Sequence, residues 1–166
     1  MLVRKTIVID FFRILSEVTI TDFKTAVVAI DKLHSKGIKT VVITSMDCSS
    51  EPNKLYSMVS SVHKGIANRQ LYRISMDKLN CNFIGTGDLF AALFLAWFTK
   101  TDGDVKKALE NVIFTLQAII NRTYRFALTQ PGTTTNTSNI ELKLIQGIDD
   151  IIAPKVTTMA HVFTAV

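Results

Sequence analysis

The stretch on either side of Gly37 limits the fold of this chain more than any other. Ahead of it, Phe23, Ala26, Val27, Ile30 and Leu33 recur at helical spacing. Thr19 and Thr21 precede the run, and Gly37 stands where a residue closing a helix belongs. The spacing predicts a helix over residues 22–35. Behind the glycine comes Thr40-Val-Val-Ile-Thr-Ser45, a β-branched run that suits a buried strand. A helix, a glycine and a buried strand in that order are one step of a parallel α/β sheet. Such a strand needs cover on both faces and neighbours along both edges. Residues 6–10 are the candidate for one of those neighbours.

The rest of the chain reads as follows. Residues 46–54 are a polar loop. Residues 55–62 and 70–75 are two strands of a hairpin, joined by a turn over 63–68. Residues 82–88 are a short extended piece that ends in a glycine loop. Residues 89–98 are apolar on almost every side, which predicts a helix buried in the protein. A second helix covers 104–127, with a stripe of Val105, Ala108, Leu109, Val112, Leu116, Ile119 and Ile120. Asp102 and Asp104 flank Gly103 and mark a turn between helices with a cap. A polar loop follows over 129–139. Ile140, Leu142 and Leu144 then alternate with Glu141 and Lys143, which predicts a last strand.

Composition removes several classes. The chain has 166 residues, 48% of them hydrophobic and 20% charged, so it is neither disordered nor too small for a core. Two cysteines cannot make a disulfide scaffold. Cys48 and Cys81 read as reduced thiols in or near the core. The longest uncharged apolar run, residues 89–98, is far short of the roughly 20 residues of a membrane span. The net charge is +5, but Lys and Arg are scattered and no run exceeds two, so nucleic acid is not the expected partner. If the charge matters, a nucleotide phosphate is a more economical target. Asp10 and Arg13 interrupt the N-terminal apolar stretch, and the expected location is cytoplasmic. His34, His63 and His161 lack metal-ligand spacing and take surface or structural roles, and no metal ligands are assigned. Trp97 and the phenylalanines of the apolar helix read as core.

The strongest chemical signal is Gly85-Thr-Gly-Asp88, between an extended piece and a helix. Two readings stand open. In one, the glycines make a turn and Asp88 caps the helix. In the other, the glycines let a phosphate approach the unpaired first amides of the helix, and Asp88 accepts a proton from a hydroxyl.

The surrounding residues add a resemblance. Asn82-Phe-Ile-Gly-Thr-Gly-Asp-Leu-Phe-Ala-Ala-Leu-Phe-Leu-Ala-Trp97 closely resembles the glycine loop and helix of pyridoxal kinases, members of the ribokinase-like superfamily. Leu33-His-Ser-Lys-Gly-Ile-Lys-Thr-Val-Val-Ile-Thr-Ser45 is similar to their helix and strand before the nucleotide site, and residues 141–154 to their C-terminus. The resemblance implies an α/β chain: the C-terminal half of a three-layer ribokinase-like sheet, with a hairpin and packed helices. It covers roughly residues 14–160 in order. Residues 14–166 are then the C-terminal, ATP-binding part of such a domain, and residues 1–13 are unrelated to it.

The implied activity is ATP-dependent phosphorylation of the 5′-hydroxymethyl group of pyridoxal, pyridoxine or pyridoxamine, a step of vitamin B6 salvage. By the same resemblance Asp88 is the catalytic base, and Gly85, Thr86 and Gly87 form an anion hole. Thr44 and Ser45 contact the ATP phosphates, and Leu79 and Asn80 lie on the nucleotide side. Magnesium, a monovalent cation and a homodimer are also implied. The family's Asn-x-x-Glu motif would fall at Val8 and Phe11, which cannot substitute for it, and Asp10 lies one position away. A second reading is therefore kept: a catalytically inactive module that binds nucleotide or pairs with a subunit.

Overall fold

The computed structural model describes residues 15–48, 51–62, 69–132, 136–157 and 159–164, together with the backbone of residues 6–7. The chain forms two compact units. Unit 1 comprises Met1–Lys78 with Ala160–Val166, and unit 2 comprises Leu79–Met159.

Unit 1 is a sheet with a helix on one face. Helix α1 (Phe23–Ser35) starts at a reciprocal cap. Asp22 accepts from the Thr25 amide at 2.8 Å, and the Thr25 hydroxyl oxygen accepts from the Asp22 amide at 3.0 Å. The bonds from the Thr25 amide and then its hydroxyl hold the Asp22 carboxyl below its ordinary value. The far end closes at Gly37, whose φ is +86°. The Gly37 amide donates to His34 O at 2.9 Å and the Ile38 amide to Leu33 O at 3.2 Å, a Schellman closure.

Among the described residues the sheet has the order β1-β2-β3-β4-β5. Its strands are β1 (Thr6–Ile7), β2 (Thr40–Asp47), β3 (Lys54–Val62), β4 (Arg69–Asp77) and β5 (His161–Val162). β1 runs parallel to β2, with Thr6 opposite Thr40 and Ile7 opposite Val41. The parallel step expected around α1 is therefore β1-α1-β2, and residues 6–7 of the expected 6–10 supply the neighbour. All later pairings are antiparallel. The expected hairpin is β3–β4, in register from Lys54–Asp77 to Val62–Arg69. Its turn, 63–68, lies outside the described residues.

Ala26, Ala29, Ile30 and Leu33 of α1 pack with Val41, Ile43, Met58 and Leu71 of the sheet, all at most 4% exposed. Each such side chain withdrawn from water contributes about 1.5–3 kcal/mol, less for alanine. Val42, Ser57, Val59 and Ile74 alternate to the opposite face and are buried as well. His34 ties the helix to β3. Its Nδ1 donates to Ile38 O at 2.7 Å, and its Nε2 accepts from the Ser60 hydroxyl at 2.8 Å. Arg69 pairs with Asp31, and the Arg73 guanidinium lies 4.9, 5.7 and 5.1 Å from the ring centres of Phe23, Tyr56 and Phe163.

Unit 2 is built on two helices, α2 (Thr86–Lys100) and α3 (Val105–Leu128). Phe90, Leu93, Phe94 and Phe98 form the buried face of α2. The expectation of a helix buried all round is corrected here, because Leu95 is 66% exposed. An almost wholly apolar sequence gives no polar side from which the exposed face can be read. The turn into α3 uses Asp102 at φ +52° and Gly103 at φ +84°, and Asp104 caps α3 by accepting from the Lys107 amide at 3.0 Å. Every residue of the expected α3 stripe is buried.

The predicted last strand, residues 140–144, does not form. Glu141 makes one isolated parallel bridge to Ile84, and the chain then bends into a short 3-10 turn (Ile145–Gly147) and helix α4 (Ile148–Ile152). This segment is fastened along α3 instead. Thr123 Oγ1 accepts from the Lys143 amide at 3.1 Å, Thr115 donates to Asp150 O at 2.9 Å, and Arg122 pairs with Asp150 at 3.0 Å. No helix among the described residues is long and apolar enough to cross a membrane.

Candidate functional site

The glycine loop gets its geometry from three local features. Asn82 and Phe83 lead into Ile84, whose amide donates to Ile140 O at 3.3 Å. Gly85 then takes φ +88° and ψ 8°, a left-handed conformation that glycine adopts without a Cβ penalty. Helix α2 starts at the next residue. It therefore begins three residues earlier than the expected 89–98, and Gly85 rather than Asp88 is its capping residue.

No side chain caps this helix. Its first backbone bond to Gly85 comes from the Leu89 amide, at 3.0 Å. The amides of Thr86, Gly87 and Asp88 have no bonding partner among the described residues. Three free N–H groups at the positive end of a helix dipole form an anion site. Asp88 occupies the third helical position, is exposed, and makes no hydrogen bond or ion pair among the described residues. A free acceptor and three free donors thus share one helical turn.

Thr44 and Ser45 belong to unit 1. The register of β2 on β3 shifts between Ile43, opposite Met58, and Met46, opposite Tyr56. Thr44 and Ser45 thus stand against Ser57 alone, which is a β-bulge. The Ser57 hydroxyl donates to Ile43 O at 2.7 Å and steadies the bulge. Thr44 is half-buried and Ser45 exposed, and neither hydroxyl has a hydrogen bond among the described residues. Leu79, half-buried, and Asn80, exposed, open unit 2 in a tight turn, with the Cys81 amide donating to Leu79 O at 2.8 Å. The structure therefore brings Gly85, Thr86, Gly87 and Asp88 together at one helix start. Leu79 and Asn80 sit a few residues upstream in the same unit, and Thr44 and Ser45 sit on the bulge of the other.

His34 has a structural role, while His63 lies outside the described residues. Burial pushes the His34 imidazole below its ordinary value, against the hydrogen bond to Ile38, and holds it neutral between Ile38 O and Ser60. Cys48 and Cys81 form no disulfide among the described residues and are half-buried, and burial pushes the Cys81 thiol up. Two features of the site were not anticipated from the sequence. The bulge had no signal, since Thr-Ser suits a regular strand equally well. The left-handed Gly85 had one, because a glycine directly before a threonine and an apolar run is a recognisable helix start.

No family model matches the chain. The human pyridoxal kinase is 36% identical over 139 residues, which are 80% of this chain and 45% of that protein. Among solved structures, the pyridoxal kinase of Leishmania donovani in complex with ADP matches with a TM-score of 0.81 at 25% identity, over 92% of this chain and 49% of that one. The same kinase with ADP and pyridoxamine gives 0.80 at 26% identity, with the same coverage. The chain spans about half the length of the relatives it matches. That share fits the C-terminal half to which the motifs point, and the ribokinase-like fold is the one expected. By sequence and by fold, the chain is similar to about the C-terminal half of a pyridoxal kinase.

Proposed function

We propose that the chain contributes the nucleotide side of an ATP-dependent phosphorylation of the 5′-hydroxymethyl group of pyridoxal and its relatives. The observation that carries this reading is the first turn of α2. Its three amides are free, and the Asp88 carboxylate beside them is open to a substrate hydroxyl. Phosphoryl transfer needs positioning and charge stabilisation more than covalent help. The amides of Thr86, Gly87 and Asp88 suit charge on the transferred phosphoryl group, with Gly85 giving the turn that aims them. Asp88 takes the hydroxyl proton as the oxygen attacks, and the bond to the leaving nucleoside diphosphate breaks. The hydroxyls of Thr44 and Ser45 serve the polyphosphate, and Leu79 and Asn80 the nucleoside. Residues 14–166 make up this ATP-binding part.

The divalent and monovalent cations belong to the same proposal. Among the described residues no group of three or more His, Cys, Asp or Glu is arranged to hold a metal. The homodimer is likewise taken from the family, and the cytoplasmic location stays part of the proposal. Formation of pyridoxal phosphate from pyridoxal, ATP and magnesium tests it. Asp88→Asn is expected to lower turnover by about 10²–10⁴-fold, the usual range for a general base. Undiminished turnover would remove Asp88 from that role. Val8 and Phe11, where the family's Asn-x-x-Glu motif would fall, favour a second reading, a module that binds nucleotide without turnover. Calorimetric binding of ATP with no product in a long incubation would select it, and no binding would reject both.

A further inference from the structure

Helix α2 turns an apolar row to water. Ala92, Leu95 and Ala96 are exposed, Leu95 to 66%, and helical spacing puts them on one face with Asp88. The sequence from Leu89 to Thr99 carries no charge. The Thr99 hydroxyl turns back and donates to Leu95 O at 2.9 Å. The next charge, the Lys100 ammonium, lies over the Trp97 ring, 4.5 Å from its centre. Helix α3 of the same unit is built differently. Its exposed positions include Lys107, Asn121, Arg122 and Arg125, as a solvated face requires.

A helix that is apolar all round belongs in an interior. Phe90, Leu93, Phe94 and Phe98 are the buried side of α2, and the described residues leave the Leu95 side exposed. The relatives contain the polypeptide that could cover it. The Leishmania kinase matches 92% of this chain with 49% of its own length, so about as much again lies outside the match. The motifs put this chain in the C-terminal half, and the polypeptide outside the match is therefore N-terminal.

We propose that the Ala92, Leu95 and Ala96 face of α2 is a docking surface for a separate chain equivalent to the N-terminal half of a pyridoxal kinase. Leu95 is the anchor, flanked by two alanines that let an apolar partner approach closely. Asp88 stands one turn before Ala92 on the same face. A partner docked there lies against the open carboxylate and shields it from water, so the kinase site is complete only in the complex. The inference rests on the half-kinase reading given above and names its partner.

The test is co-expression of the full chain with a tagged N-terminal half of the human kinase, followed by co-purification. The two should purify together. Leu95→Lys and Ala96→Glu should each weaken the complex about ten-fold or more, as a charge placed in the centre of an apolar contact does. Leu95→Met, which keeps volume and polarity, should bind as wild type does. Ile145→Lys, at a still more exposed apolar residue outside α2, should change nothing. No capture by wild type, or capture that neither charged variant weakens, overturns the proposal. So does sedimentation showing that the chain self-associates and that Leu95→Lys makes it monomeric, since the occupant is then a second copy. ATP binding by the chain is read separately by calorimetry. Nucleotide bound without capture removes this inference alone. Capture that the charged variants weaken, in a complex that forms no pyridoxal phosphate, upholds the docking face and removes the catalytic reading.

Discussion

Replacing Gly85 by alanine isolates the backbone cost of the glycine loop. At φ +88° an added Cβ crowds the carbonyl oxygen that follows, a penalty of about 1–2 kcal/mol. Space is not the difficulty. A Cβ built there would have Leu142 Cδ1, at 4.0 Å, as its nearest neighbour, an ordinary contact. Gly85 is exposed, so the new methyl group gains no burial in return. The whole effect is then conformational. Trp97 is the one tryptophan of the chain and lies in the same helix, so its fluorescence in urea reports the loss. With a slope of about 2 kcal/mol per molar, the midpoint should fall by about 0.5–1 M. Gly85→Asn should lose less, because asparagine tolerates the left-handed region better than alanine. An alanine variant as stable as wild type would refute the reasoning, and so would an asparagine variant that falls further.

Two further perturbations test the packing. At Gly147 the backbone suits alanine, but its Cβ would lie 2.8 Å from Ile119 Cγ1, on a fully buried residue of α3. Gly147→Ala should cost about 1–3 kcal/mol by overpacking. Adding Ile119→Ala should make the two losses less than additive, measured by the same urea titration. His34 sets a pH dependence. Its folded-state pKa is depressed by burial, so the unfolded chain binds the proton more readily. Stability is full above the ordinary histidine value of about 6.5 and declines as pH falls through it toward the lower folded value. Asp31 raises and Arg69 lowers that folded value in turn. Melting at pH 7.5 and 5.5 should show the drop, and His34→Gln should flatten it; equal slopes would sink the assignment.

How much of this was legible depended on whether the signal was local. Helix α1 and its closing glycine, the β3–β4 hairpin, the Asp104 cap and the α3 stripe each rest on residues close in sequence, and each was readable. The segment 140–144 was not. Ile140, Leu142 and Leu144 alternate as a strand would, but alternation does not supply a partner strand. Here Glu141 makes one isolated bridge among the described residues, and the hydrogen bond from the Lys143 amide to Thr123 of α3 holds the segment otherwise. The exposed side of α2 was hidden for the opposite reason, since an apolar sequence shows no face. The hairpin accounted for the β3–β4 pairing alone; the antiparallel β2–β3 and β4–β5 pairings were not expected.

Asp88 shows where sequence and structure part at the site itself. Read alone, the glycine loop leaves a helix cap and a proton acceptor both open, with the cap ahead. A capping role has a recognisable form in this chain. In α1 the residue at the third helical position, Thr25, folds back on the capping residue and closes a reciprocal pair. In α3 the capping Asp104 is bonded to the Lys107 amide. Asp88 holds the position in α2 that Thr25 holds in α1, yet its carboxylate reaches no partner among the described residues, and no side chain caps the helix. Turnover therefore separates the two roles. Asp88→Asn removes a charge that favours a helix start in either case, at about 0.3–1 kcal/mol in urea. If Asp88 is an acceptor, turnover falls far further than that, by about 10²–10⁴-fold. Turnover that falls no further than stability would end the case for a base.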